Sequence, residues 1–225
     1  MLAIGIAAGA QAQVTVTPTT PGYTGSSTDL FDISNGSSIV SSTPTQDGGG
    51  IGVTVYPAIN AIGGNAGFGG DAGNTVFADG SGATESFIFK TLSAVTISGV
   101  DLLLAADEFR AFRNVALFGG NDGVVFNQLF SYDLGTGLYA TTYGSAGITV
   151  AARFDPVSYS YFRFDGVPTS SGPFNGGRLI ELDAIPGTIA AAIPEPASWA
   201  MMIVGVGLIG AGLRYRQRRT VLRFA

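Results

Sequence analysis

Sixteen carboxylates, 11 basic residues and a complete lack of histidine and cysteine limit the chemistry open to this 225-residue chain. Ser-His-Asp triads, Cys-His dyads and His-ligated zinc are all excluded. Carboxylate chemistry remains. Two acids can hydrolyse a glycosidic bond, one as acid and the other as base or nucleophile. The pairs available for this are Asp107 with Glu108 and Asp155 with Asp165. Acids in Gly-rich, turn-punctuated sequence more often end turns and edge strands, and a short β domain has little chain from which to build a deep cleft. The chain reads as no enzyme.

A second constellation acts at a membrane. Pro194-Glu195-Pro196 is followed by an uncharged run from Trp199 to Leu213, and then by Arg214, Arg216, Arg218 and Arg219. The two prolines hold the backbone extended and remove two amide donors, which delays any helix until after them. Trp199 suits the headgroup level, and the arginines keep their end cytoplasmic, placing what precedes Pro194 on the far side of the inner membrane. This order of parts resembles the PEP-CTERM sorting domain of Gram-negative bacteria, in its Trp-Ala variant, over about Ile193 to Arg219. Tyr215 and Gln217 interrupt a basic run that is usually denser. The resemblance implies cutting near Pro-Glu-Pro by exosortase, a membrane-embedded Cys-dependent protease, and passage to the cell surface alongside exopolysaccharide.

A plain single-span anchor is the competing reading. Trp199 to Leu213 covers only about 22 Å as a helix, against a hydrocarbon core of roughly 30 Å. Gly205, Gly207, Gly210 and Gly212 weaken that helix by up to ~1 kcal/mol each. A marginal span suits a transient substrate better than a lasting tether. One C-terminal transmembrane helix is nevertheless expected here.

The other end also reads as an export signal. Leu2 to Ala8 is apolar, and Ala10-Gln11-Ala12 is a small-x-small cleavage site that makes Gln13 the mature start. The basic n-region is missing, which a start codon assigned too far downstream would explain. An exported chain with no Cys has no disulfide staples and must hold together by its core.

Charge divides the chain sharply. Before Pro194 stand 15 acids against six bases, a net charge of −9, while five of the 11 bases follow it. Such a surface repels nucleic acid. Val14 to Thr45 is rich in Ser, Thr, Gly and Pro and reads as a flexible or partly stranded lead-in. Asn35-Gly36-Ser37 fits the glycosylation pattern, but a solvated linker accounts for it better, since three-residue patterns arise often by chance. Gly67-Phe68-Gly69-Gly70 lacks the flanking strand, helix and Lys that a phosphate cradle needs.

From Glu85 onward apolar and polar residues alternate as in antiparallel strands. Phe87 and Phe89 share one face, as do Ile148, Val150, Ala152 and Phe154. Phe162 and Phe164 face away from Tyr161 and Arg163. Ile180, Leu182 and Ala184 are expected inward, with Glu181 and Asp183 outward. Leu102 to Phe112 fits either a strand or a short helix. Many short strands between turn clusters such as Gly119-Gly120-Asn121-Asp122-Gly123 argue for an all-β antiparallel sandwich.

The run from Asp155 to Phe164, the later Gly176-Gly177-Arg178-Leu179-Ile180-Glu181-Leu182, and the earlier Val115 to Gly123 resemble the strands of discoidin-type, galactose-binding-like jelly rolls. In bacteria these often serve as carbohydrate-binding modules. The early indole usual in such domains is missing, since Trp199 is the sole Trp. The resemblance implies a structural calcium, for which Asp71, Asn74, Thr75 and Glu181 could supply oxygens. Turn formation and a solvated strand face explain the same residues. Sugar stacking would fall to loop aromatics, Phe68, Tyr139 and Tyr143, for which packing is the alternative.

The expected layout is a signal segment at 1–12, the lead-in at 13–50, a jelly-roll-like sandwich at 51–187, a linker at 188–193, the sorting signal at 194–219 and a cytoplasmic tail at 220–225. Two functions fit it. One is a structural or adhesive component of the surface or matrix, with exosortase as partner and the inner membrane as a stage in transit. The other is a carbohydrate-binding module that grips exopolysaccharide.

Overall fold

The computed structural model describes residues 12–19, 25–45, 56–63, 73–78, 80, 82–106, 110–135, 147–169, 176–189 and 196–221. The strands are β1 (Gln13–Pro18), β2 (Ser38–Ser42), β3 (Thr75–Val76), β4 (Glu85–Ala105), β5 (Phe112–Gly120), β6 (Asn127–Asp133), β7 (Gly147–Pro168) and β8 (Arg178–Pro186). All pairings are antiparallel.

Two strands organise the molecule. β4 and β7 are 21 and 22 residues long, and they pair along most of that length. Their pairing breaks between Lys90 and Val95 and again between Ile97 and Gly99. These bulges let one ribbon serve two layers, because extra residues bend a strand and strengthen its twist. The first half of β4 pairs with β2 and the second half of β7, which continues to β5 and β6. The second half of β4 pairs with β8, and the first half of β7 pairs with β1. Gly99 is required at its bulge, since a Cβ there would lie 2.5 Å from the Ala152 carbonyl oxygen.

Phenylalanines form the centre of the core between the layers. Phe164 lies 5.5 Å from Phe87, 5.7 Å from Phe112 and 6.3 Å from Phe77, centroid to centroid. Phe31, from the Ser/Thr-rich lead-in, sits 4.9 Å from Phe89 and 4.5 Å from Phe162. The lead-in is thus the partly stranded one: it supplies β1, β2 and a buried ring. Asn35 donates from its amide to the Thr28 and Asp29 carbonyls, so this side chain shapes the loop.

One open alternative is resolved and two expectations change. Leu102 to Ala105 is the end of β4 and not helical. Ile180 leaves the main core and packs in a separate buried cluster with Leu103, while Leu179 enters the main core, because the β4–β8 register slips between Leu103 and Leu104. Glu181 and Asp183 are buried at 0% and 5% exposure, since the lead-in around Gly25 and Ser26 covers that face. A buried acid elsewhere carries weight: Glu85, wholly buried, accepts the Gly177 amide at 2.9 Å where β4 meets the approach to β8. Glu85→Ala is expected to cost about 2 kcal/mol by stranding that donor, measurable by urea unfolding.

The chain divides into two compact units, 1–189 and 190–225. The second contains one helix, α1 (Pro196–Val221). It opens on Pro196, where a missing amide donor costs nothing. Among the described residues no helix is long and apolar enough to cross a membrane. The expected spanning helix therefore has its helix here, while its crossing of a bilayer gains no support from the described residues. A helix forms at the expected place, but its charge-free stretch stops at Leu213 and arginines fill its last turns.

Candidate functional site

The bend shared by β4 and β7 creates a cleft. Thr91 Oγ1 donates to the Ser93 carbonyl at 2.7 Å and lies 3.3 Å from that of Ser160, which fixes the bulged segment against β7. The resulting cavity measures about 420 Å³ and is lined by Lys90, Thr91, Leu92, Ser93, Ser160 and Tyr161, among others. Lys90 and Tyr161 are directly opposed across the two strands, so their side chains share the outer face. Gly123, at φ +73°, brings the turn after β5 to within van der Waals reach of the Tyr161 ring. Asn121 Oδ1 accepts the Ser160 amide at 3.2 Å and ties the same turn down. Asp122 next to it accepts from the Val124 and Val125 amides, and these bonds hold its carboxyl below the usual carboxylate range.

A second polar cluster lies under the lead-in. Asp183 accepts from Ser26 N, and Asp29 accepts from Phe31 N and Ala184 N. Burial raises both carboxyls, Asp183 to about 7, with the neighbouring charges of Asp29, Asp101 and Asp32 adding to the rise. Asp101 opposes Asp183 across β4 and β8 and forms an ion pair with Arg153 at 2.7 Å.

Asn74, Thr75 and Glu181, three of the residues named for calcium, are wholly buried. Pairing of Thr75 with Leu179 brings β3 to β8. Thr75 Oγ1 donates toward the Pro57 and Ala58 carbonyls. Asp71 lies outside the described residues, and among those described no group of three or more acidic side chains gathers into a metal cluster.

Phe68, Tyr139 and Tyr143 also lie outside the described residues. Gly135 and Gly147, which flank 136–146, stand at one rim of the sandwich. Backbone bonds from Thr19 to Gly147, Leu134 to Arg113, Thr169 to Ala111 and Arg178 to Arg110 connect that rim. Asp107 and Glu108 fall in an undescribed segment. Asp155 and Asp165 lie roughly 30 Å apart along β7 at ~3.3 Å per residue, with the bulged stretch of the β4–β7 ribbon between them. Asp165 is instead bonded to Arg163 at 3.1 Å.

Of the sorting residues, Pro194 and Glu195 precede the described helix, while Pro196, Trp199, Arg214, Arg216, Arg218 and Arg219 lie in α1. Met201, Ile203, Val204, Leu208 and Ile209 are each more than half exposed. Ala10 is outside the described residues, and Ala12 packs partly against the core just before β1.

Solved structures share the sandwich. The family 32 carbohydrate-binding module from Streptococcus pneumoniae EndoD is 12% identical with a TM-score of 0.51, over 71% of this chain and all of that one. The CBM32-3 module of a Clostridium perfringens family 31 glycoside hydrolase is 15% identical at 0.51, over 69% and 94%. Allantoicase from Saccharomyces cerevisiae is 12% identical at 0.50, over 70% of this chain and 47% of that one. At such identities the likeness is one of fold. No curated protein matches the chain by sequence. A family model, the PEP-CTERM protein-sorting motif, matches residues 192–219. The chain therefore carries a PEP-CTERM protein-sorting motif after a β-sandwich like those of discoidin-type carbohydrate-binding modules.

Proposed function

We propose that this is an exported, non-catalytic protein that exosortase releases to the cell surface, where its sandwich binds polysaccharide of the extracellular matrix. The observation carrying this reading is the joint occurrence of the sorting motif at 192–219 and a sandwich whose fold recurs in carbohydrate-binding modules. The short apolar run of α1 supports it, since a substrate held only until cleavage does not need a lasting tether. Signal cleavage after Ala12 would make Gln13, the first residue of β1, the mature start and so keep that strand intact.

The test follows the chain in a Gram-negative host that carries exosortase. Mass spectrometry of the released protein is expected to find no peptide containing Arg214 to Arg219. Pro194→Ala combined with Glu195→Ala is expected to leave uncleaved precursor in the inner membrane. Release of the double variant at the normal level would refute processing at this motif.

A further inference from the structure

Lys90 is the only lysine in the chain, and it stands in a part of the sequence with 15 acids and six bases. The other cations there are differently placed. Arg153 is engaged by Asp101, and Arg163 by Asp165. Arg163 also lies 4.2 Å over the Phe118 ring. Arg110 and Arg178 are buried, and Arg113 is half-buried. Lys90 is exposed, and it lies at the cleft of the β4–β7 bend.

What surrounds it completes a recognisable set of contacts. Tyr161, opposite Lys90, offers a half-buried ring, and Ser93 and Ser160 offer hydroxyls. Leu92 is 83% exposed beside them, and Val124 and Val125 are 80% and 64% exposed on the turn that reaches Tyr161 through Gly123. An aromatic ring, apolar shelves and hydroxyls suit the apolar face and hydroxyl rim of a pyranose. The ammonium adds a demand for negative charge. Asp122, the acid of the neighbouring turn, has its carboxylate engaged by the amides of Val124 and Val125.

We infer that the cleft at Lys90 and Tyr161 binds an anionic sugar unit of a polysaccharide, with the sugar ring on Tyr161 and its negative group on the Lys90 ammonium. The inference rests on the polysaccharide-binding reading above and names the ligand class and the site. A carboxylate and a sulfate ester present the same chemistry to an ammonium, so both belong to that class. A domain of net negative charge repels a polyanion everywhere else, which makes the interaction local and strongly weakened by salt.

The test is affinity electrophoresis of the full chain, kept in detergent, through gels containing polygalacturonate, dextran sulfate or neutral dextran. Retardation is expected in the charged gels and not in dextran. Retardation by polygalacturonate alone would assign a carboxylate, and by dextran sulfate alone a sulfate ester. Lys90→Met is expected to weaken it about tenfold or more, as loss of a charge-assisted contact does. Lys90→Arg should restore it. Both substitutions are at an exposed position, and an unchanged circular dichroism spectrum verifies the fold. Equal retardation of wild type and Lys90→Met would overturn the site while leaving polysaccharide binding intact. Equal retardation by dextran would overturn the anionic class. No retardation in any gel would overturn both this inference and the reading on which it rests.

Discussion

Phe164→Ala is expected to remove about 4 kcal/mol of stability, the upper part of the range for deleting a buried aromatic ring. The ring is wholly buried and touches Phe87 of β4, Phe112 of β5 and Phe77 just after β3. Contacts from so many elements leave no single one free to collapse into the space, and relaxation is what reduces such costs elsewhere. Edge-to-face packing with Phe112 adds a directional contribution beyond the buried area. Domains of this kind have a total stability of about 5–15 kcal/mol, and without disulfides the core has no support to fall back on. Urea unfolding should show a much lower midpoint with an unchanged slope. A loss below about 1 kcal/mol would mean that the phenylalanine cluster is not what joins the two layers.

Periodicity revealed the faces of this core wherever a strand runs without a bulge. Phe87 with Phe89, Ile148 with Val150 and Ala152, and Phe162 with Phe164 all point inward as their alternation requires. Alternation fails at an inserted residue, because one extra position moves every later side chain to the opposite face. That is why Ile180 and Leu179 exchange places, and why residues 85–105 read as separate short strands when they form one. Burial by a distant segment leaves no local trace either. Nothing near Glu181 or Asp183 announces that the segment around Gly25 and Ser26 will cover them. The sorting motif was legible because its signal lies in the order of residue types along a short stretch. The cleft was not, since Lys90 and Tyr161 meet only once β4 and β7 are in register.

Asp183→Asn is expected to stabilise the protein at neutral pH and to flatten its response to acid. Asp183 is 5% exposed, with one carboxylate oxygen accepting from Ser26 N and the other buried without a hydrogen-bond partner. Burial, with Asp29, Asp101 and Asp32 nearby, raises its pKa from the ordinary 3.8 to about 7. Below pH 3.8 the group is protonated in both folded and unfolded chains and does not distinguish them. Between there and about pH 7 the unfolded chain releases a proton that the folded one retains, so stability falls as pH rises and levels off above 7. The full rise in pKa corresponds to at most ~4 kcal/mol, and solvent screening just beneath the surface reduces it to about 2. Asp29, raised in the same direction, steepens the slope. Asparagine can still accept from Ser26 N, and it directs donors rather than a like charge toward Asp29 and Asp32. The variant should melt roughly 4–8 °C higher near pH 7.5 and approach wild type near pH 4. Parallel melting curves for the two proteins across that range would show that the acids under the lead-in are fully hydrated and carry no such penalty.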